Sequence, residues 1–167
     1  TDADFDEFAA MRADAEVMRF IGKTGPQTRE QSEAWLEKNR RRWEDEGFGM
    51  WAVCEKSDGR LVGWCGLSRL ENTREVEVGY GLARAAWGRG LTTEAARAAL
   101  RYGFAEKNVE RVVAVAMPDN VGSRRVMEKV GLAYVRDAFF YGTDVVYYAI
   151  DSHDFLIDDS PYSLKNE

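Results

Sequence analysis

The stretch from Gly79 to Leu100, GYGLARAAWGRGLTTEAARAAL, constrains this chain more than any other. An apolar strand pattern runs into a glycine-and-arginine turn, and the turn opens directly into an alanine-rich helix. The first turn of a helix carries N–H groups without intrahelical partners and the positive end of the helix dipole, so such a junction suits an anion. Gly88 and Gly90 allow close backbone approach, and Arg84 and Arg89 add positive charge. An ordinary glycine-rich strand-to-helix loop would use the same residues, so the rest of the chain has to decide.

The 167 residues are enough for one domain with a sizeable core. We expect a single domain over residues 1–155 and a C-terminal tail over 156–167. A net charge of −6 argues against nucleic-acid binding through a basic surface. No apolar run reaches membrane-spanning length and no signal-peptide pattern opens the chain, so a soluble, cytoplasmic protein is the expectation. Cys54 and Cys65 are too few for a structural zinc site and lie in apolar strand-like segments, where they read as buried thiols. A disulfide would need two neighbouring antiparallel strands to set them opposite one another. His153 is the only histidine and lies in a polar C-terminal segment, which leaves a Ser-His-Asp hydrolase poorly supported. No metal is expected.

Along the chain, Thr1 to Ile21 has a helical pattern with Phe5, Phe8, Ala9, Val17, Met18 and Ile21 on its apolar face. Thr28 with Gln31 forms a capping-box pattern that opens a polar helix to about Glu46, with Trp35, Leu36 and Trp43 inward. Strands are expected at Met50–Lys56, Arg60–Leu70 and Glu75–Leu82, with a tight turn at Ser57-Asp58-Gly59. A helix follows from about Thr92 to Lys107, its inward stripe made by Ala96, Ala99, Leu100, Gly103 and Phe104. Arg111–Met117 reads as a buried strand. Asp119 or Asn120 caps a helix to Val130, and Gly131 ends it. Leu132–Asp137 and Thr143–Asp151 close the chain as a strand pair. The expected fold is a mixed α/β, mostly antiparallel sheet flanked by helices.

That order, with AAWGRGLTTEA in the middle and DNVGSRRVMEKVGL after it, resembles the GNAT superfamily of N-acetyltransferases, and within it the ribosomal-protein N-terminal acetyltransferases. The family's phosphate loop falls on Trp87, Gly90 and Thr92. Trp87 replaces the usual Arg or Gln, and Thr92 replaces a Gly or Ala. The second motif falls on Asn120, Ser123, Glu128, Lys129, Gly131 and Leu132. Family domains begin with a strand before the first helix, and this chain opens at that helix.

The resemblance implies acetyl-CoA as donor, a primary amine as acceptor (a protein N-terminus or a small molecule) and direct attack. Glu75 and Glu77 lie at period two on one strand face. Glu77, just before Val78-Gly79-Tyr80, is the expected general base, with Glu75 in reserve and a solvent-facing carboxylate as the competing reading. The resemblance also implies a bulge in this strand, eased by Gly79 and Gly81, that frees the Leu82 N–H to hold the thioester carbonyl. Leu82, Trp87, Gly88, Arg89, Gly90, Leu91, Thr92, Asn120, Ser123 and Arg124 are the expected coenzyme contacts. Many family members place a tyrosine acid where this chain has Met127, so the acid is unassigned. A non-catalytic acyl-CoA-binding module is the alternative. Phe139, Phe140 and Tyr141 offer either a homodimer face or closure of the sheet.

Overall fold

A computed structural model describes residues 4–22 and 25–156. Helices α1 (Phe5–Ala13), α2 (Ala15–Met18) and α3 (Arg29–Glu46) come first. Strands β1 (Met50–Cys54), β2 (Leu61–Arg69) and β3 (Val76–Leu82) follow. Then come α4 (Leu91–Arg101), β4 (Arg111–Ala116), α5 (Val121–Lys129), β5 (Ala133–Phe140) and β6 (Thr143–Asp151). They build one six-stranded sheet in the order β1-β2-β3-β4-β6-β5, in which only β3 and β4 run parallel. The mixed, mostly antiparallel sheet agrees with the expectation. The expected tail falls outside the described residues except for exposed Leu156.

Local chemistry explains where boundaries moved. The first helix is two, because Asp14 leaves helical geometry (ψ 119°) and its carboxylate accepts from the N–H groups of Glu16 and Val17. At Thr28 the capping box forms on both sides: Thr28 Oγ1 accepts from Gln31 N–H and Gln31 Oε1 accepts from Thr28 N–H. The helix expected to reach Lys107 stays α-helical only to Arg101, and a π-helical turn covers Tyr102–Glu106. There the Tyr102 hydroxyl donates to the Gly47 carbonyl (2.8 Å). β5 runs three residues beyond the expected Asp137, because the chain reverses in two residues at Tyr141-Gly142. Cys65 is buried, but Cys54 is exposed, contrary to expectation. Cys65 pairs with Trp51, so the cysteines are not opposite each other, and both thiols are free.

One face of the sheet carries α4 and α5, with Ala96, Ala99, Leu100, Met127 and Val130 packed on Leu67, Val78, Val112 and Ala114. The small residues of α4 let the helix lie close to the strands. The other face is covered in two parts. Phe8, Met11, Val17 and Met18 from α1 and α2 cover β2 at Leu61 and Trp64, with Trp35 and Leu36 of α3 beside them. The β5–β6 hairpin curls over β3 and β4, where Phe140 and Tyr147 pack with Leu70 and Val113. Of the three aromatics expected to close the sheet or form a dimer face, Phe140 packs inward, Tyr141 stays partly exposed while its hydroxyl reaches Glu77, and Phe139 stays 66% exposed.

The outer edge of β1 is covered at its first residue by side chains of α3. Leu67 N–H donates to the Gly49 carbonyl (3.0 Å), so Met50 occupies the next, non-hydrogen-bonded position and turns its own backbone groups outward. Asn39 of α3 meets both: Nδ2 donates to Met50 O (2.9 Å) and Oδ1 accepts from Met50 N–H (2.8 Å). Replacing Asn39 with Ala orphans the Met50 N–H and leaves the Met50 carbonyl with only the long contact from the Trp43 indole N–H (3.5 Å). It is expected to lower unfolding stability by roughly 1–3 kcal/mol in urea titration, a change near zero being the contrary result.

Candidate active site

β3 and β2 pair without interruption from Val76/Arg69 to Leu82/Gly63, so β3 has no bulge against β2 and that expectation fails. The glycines serve packing instead: a Cβ on Gly81 would stand 2.4 Å from the Trp64 indole. The opening arises on the other side of β3. Its parallel ladder with β4 holds only Val76/Val112 and Glu77/Val113. Beyond Glu77 the two strands part. Ala83 N–H donates to the Val62 carbonyl (2.9 Å), which makes that pair hydrogen-bonded and turns the N–H of Leu82, one residue earlier, away from β2. The Leu82 N–H thus points to the side from which β4 has departed.

Glu77 sits where the strands separate. It is 8% exposed, on the hairpin-covered face. The Tyr141 hydroxyl donates to Glu77 Oε2 (2.5 Å), and the Val115 N–H of β4 also hydrogen-bonds the carboxylate. Burial pushes its pKa up to about 7, against the pull of Tyr141, Val115 and the more distant Arg42. The solvent-facing alternative for Glu77 is thereby excluded. Glu75 lies on the same face, but its carboxylate accepts from the Tyr147 hydroxyl (2.5 Å) at the closed end of the strands.

The loop after β3 leaves a stretch of backbone uncovered. Arg84–Ala86 make one 3-10 turn, and the Trp87 indole N–H closes back onto the Leu82 carbonyl (2.7 Å). Gly88 and Gly90 adopt φ of 73° and 81°, which non-glycine residues rarely take, and nothing stands within 4 Å of where their Cβ would be. Gly90 caps α4 with no side chain to offer, and Glu94 is the residue whose N–H reaches the Gly90 carbonyl (3.1 Å). The N–H groups of Leu91, Thr92 and Thr93 therefore face outward at the positive end of the helix. This open backbone fits a diphosphate. Arg84 is exposed at its rim, while Arg89 is held by Glu55 through both carboxylate oxygens, so its charge is already matched.

Asn120 caps α5, accepting from the Ser123 N–H (3.1 Å). Arg124 reaches the Tyr148 hydroxyl (3.4 Å) and the Pro118 carbonyl (3.2 Å). Met127 is fully buried in the core. Tyr80 joins these residues without having been expected among them: its hydroxyl crosses from β3 to the first turn of α5 and lies 3.0 Å from Ser123 Oγ. Tyr141, expected at a homodimer face or in closing the sheet, instead reaches Glu77. Tyr80 could have been found from its place two residues before Leu82 on one face. Tyr141 gave no spacing signal, because the expected strand stopped at Asp137 and left it in a connection of undefined direction, whereas β5 runs on to Phe140.

Among the described residues, Asp151, His153 and Asp154 bring three potential metal ligands within 4.8 Å. They lie at the start of β4, away from the parting strands, and Arg111 already binds both Asp151 oxygens. Among the described residues no helix is long and apolar enough to cross a membrane.

Glu77 also links pH to stability. With its pKa raised to about 7, the folded protein holds a proton that the unfolded chain releases near the ordinary carboxylate value. Stability therefore falls as pH rises from about 4.5 to 7. Glu77→Gln is expected to be more stable than wild type at pH 8, by roughly 2–3 kcal/mol, and not at pH 4. Equal differences at the two pH values would contradict the buried, proton-holding carboxylate.

A family model described as an acetyltransferase (GNAT) domain matches residues 1–133. YkkB of Bacillus subtilis, an uncharacterized protein, is 36% identical over 129 residues, covering 76% of this chain and 74% of that one. The structure of a GNAT-family acetyltransferase from Bacillus anthracis superposes with a TM-score of 0.78 at 27% identity, over 92% of both chains. Mycobacterium smegmatis RimJ in complex with CoA-disulfide shares the fold, with a TM-score of 0.74 at 20% identity over 92% of this chain and 79% of that one. The chain belongs to the GNAT family, and it is an acyltransferase that moves an acetyl group to an amine.

Proposed function

We propose that the protein transfers acetyl from acetyl-CoA directly to a primary amine, with Glu77 as general base and the Leu82 N–H as oxyanion donor. The observation that supports this most is the buried Glu77 carboxylate, its pKa brought to about 7, beside the parted ends of β3 and β4. A base is most effective when its pKa lies near the working pH, and an alkyl amine must lose a proton before it can attack. The neutral amine adds to the thioester carbonyl carbon, and its proton passes to Glu77, directly or through one water. The carbonyl oxygen gains negative charge against the Leu82 N–H. The C–S bond then breaks and CoA leaves as a thiolate. We assign the hydrogen bond to that thiolate to Tyr80, held by Ser123, since Met127 supplies no hydroxyl.

On the donor side, the outward N–H groups of Leu91–Thr93, with Gly88 and Gly90, take the diphosphate, and Trp87 keeps the loop in place. Arg84 adds charge at the rim. Arg89 acts on this loop through its tie to Glu55 more than through the phosphate itself. Thr92 adds a hydroxyl donor, and Asn120, Ser123 and Arg124 line the path of the pantetheine arm. On the acceptor side, α1–α3 and the β5–β6 hairpin stand on either side of Gly79 and Gly81, as walls of an amine-binding groove. A protein N-terminus, as in the ribosomal-protein acetyltransferase branch, or a small amine fits that reading. We place the enzyme in the cytoplasm, and the exposed Tyr134, Val135 and Phe139 of β5 are the surface a second copy would use.

Glu77→Gln is expected to lower turnover about 10²–10⁴-fold while the thermal shift on adding CoA stays as in wild type. Glu75→Gln is expected to leave turnover near the wild-type value. Wild-type turnover in Glu77→Gln would remove Glu77 from the mechanism, and loss of the CoA shift would make its role structural.

A further inference from the structure

The β5–β6 hairpin has an unusual residue at its tip. Phe140 pairs with Thr143, so Tyr141-Gly142 forms a two-residue loop in which both residues take positive φ, 54° and 74°. That conformation favours Asn-Gly or Gly-Gly and is unfavourable for an aromatic residue. Tyr141 keeps it with two anchors: its N–H donates to Glu71 Oε2 (2.5 Å), and its hydroxyl donates to Glu77 Oε2 (2.5 Å). The ring thus spans from the β2–β3 turn to the carboxylate at the parting of β3 and β4. A strained residue held between two carboxylates, one of them buried, points to a task at the site more than to hairpin stability.

We propose that Tyr141 is a positioning residue for the acetyl transfer: it fixes Glu77 Oε2 and leaves Oε1 to receive the proton from the amine. The proposal rests on Glu77 being the base. Tyr141 from the hairpin and the Val115 N–H from β4 hydrogen-bond the carboxylate, while Arg42 from α3, Glu71 from the β2–β3 turn and Tyr80 of β3 act on it through their electrostatics. Tyr141 has the direct side-chain hydrogen bond. Burial and the Glu77 charge push the Tyr141 hydroxyl well above its ordinary pKa, so it stays protonated and keeps donating. Glu71 is tied to the Tyr141 backbone and sets the pose of the ring.

Two variants separate the hydroxyl from the hairpin. Tyr141→Phe keeps the ring and the strained backbone but loses the donor. Tyr141→Asn loses the donor and suits the turn. The Glu77 carboxyl is titrated by ¹³C NMR, assigned from its absence in Glu77→Gln, and kcat/KM is measured against pH for the same proteins. Without the donor the carboxylate is less stabilised, so both variants should raise the Glu77 pKa and move the acidic limb of the rate profile upward by roughly one pH unit. The CoA thermal shift should be unchanged. An unmoved pKa and limb in Tyr141→Phe, or movement in Tyr141→Asn alone, overturns the positioning role while the wild-type limb still marks Glu77 as base. A moved carboxyl titration with an unmoved rate limb overturns the base reading and this role with it, leaving Tyr141 as a structural latch.

Discussion

The structure depends on how briefly β3 and β4 stay together. Their parallel ladder lasts two residue pairs, and everything assigned to the site lies at or beyond its end. Full parallel pairing would bond the far half of β3 along its length and shut the gap. With β4 withdrawn, the outward-alternating N–H of Leu82 is left facing open space. Glu77, at the last paired position, reaches over to the Val115 N–H of the departing strand. The remainder of the fold keeps the two strands apart: uninterrupted pairing with β2 holds β3, and six pairs with β6 hold β4.

The two faces of the sheet divide the work. α4 and α5 cover one face with small and aliphatic side chains, which brings their N-termini to the open end of the strands. Each start is prepared differently. Asn120 caps α5 with its side chain, whereas Gly90 leaves the α4 N–H groups uncovered. On the opposite face, two separate covers, α1–α3 and the curled hairpin, bury Trp64 and Glu77 respectively and keep the glycine backbone of β3 between them. Burial under the hairpin raises the Glu77 pKa into the range where a base is useful, and the same burial costs stability once the group ionises.

Much of this was legible in the sequence because it depends on local signals. Period-two alternation placed Glu77 on β3, the glycine pair placed the start of α4, and Asn120 with Gly131 bounded α5. What escaped depended on distant contacts. The gap was expected from a bulge at Gly79 or Gly81, but register places it between strands that are far apart in sequence. Nothing on the polar helix singles out Asn39, yet it meets the outward backbone groups of Met50 at the start of β1. Tyr141 looked like one aromatic among several until the two-residue turn fixed where it points. Arg89 read as a free charge because nothing local announces its pairing with Glu55 across 34 residues.

A crystal structure of the protein with CoA tests directly whether the parting of β3 and β4 holds the coenzyme. The diphosphate is expected on the backbone N–H groups of Gly88–Thr93, the pantetheine arm between β3 and β4 beyond Glu77, and the sulfur near Leu82 and the Tyr80 hydroxyl. CoA bound elsewhere, or strands β3 and β4 closed against one another with no arm between them, would contradict this placement.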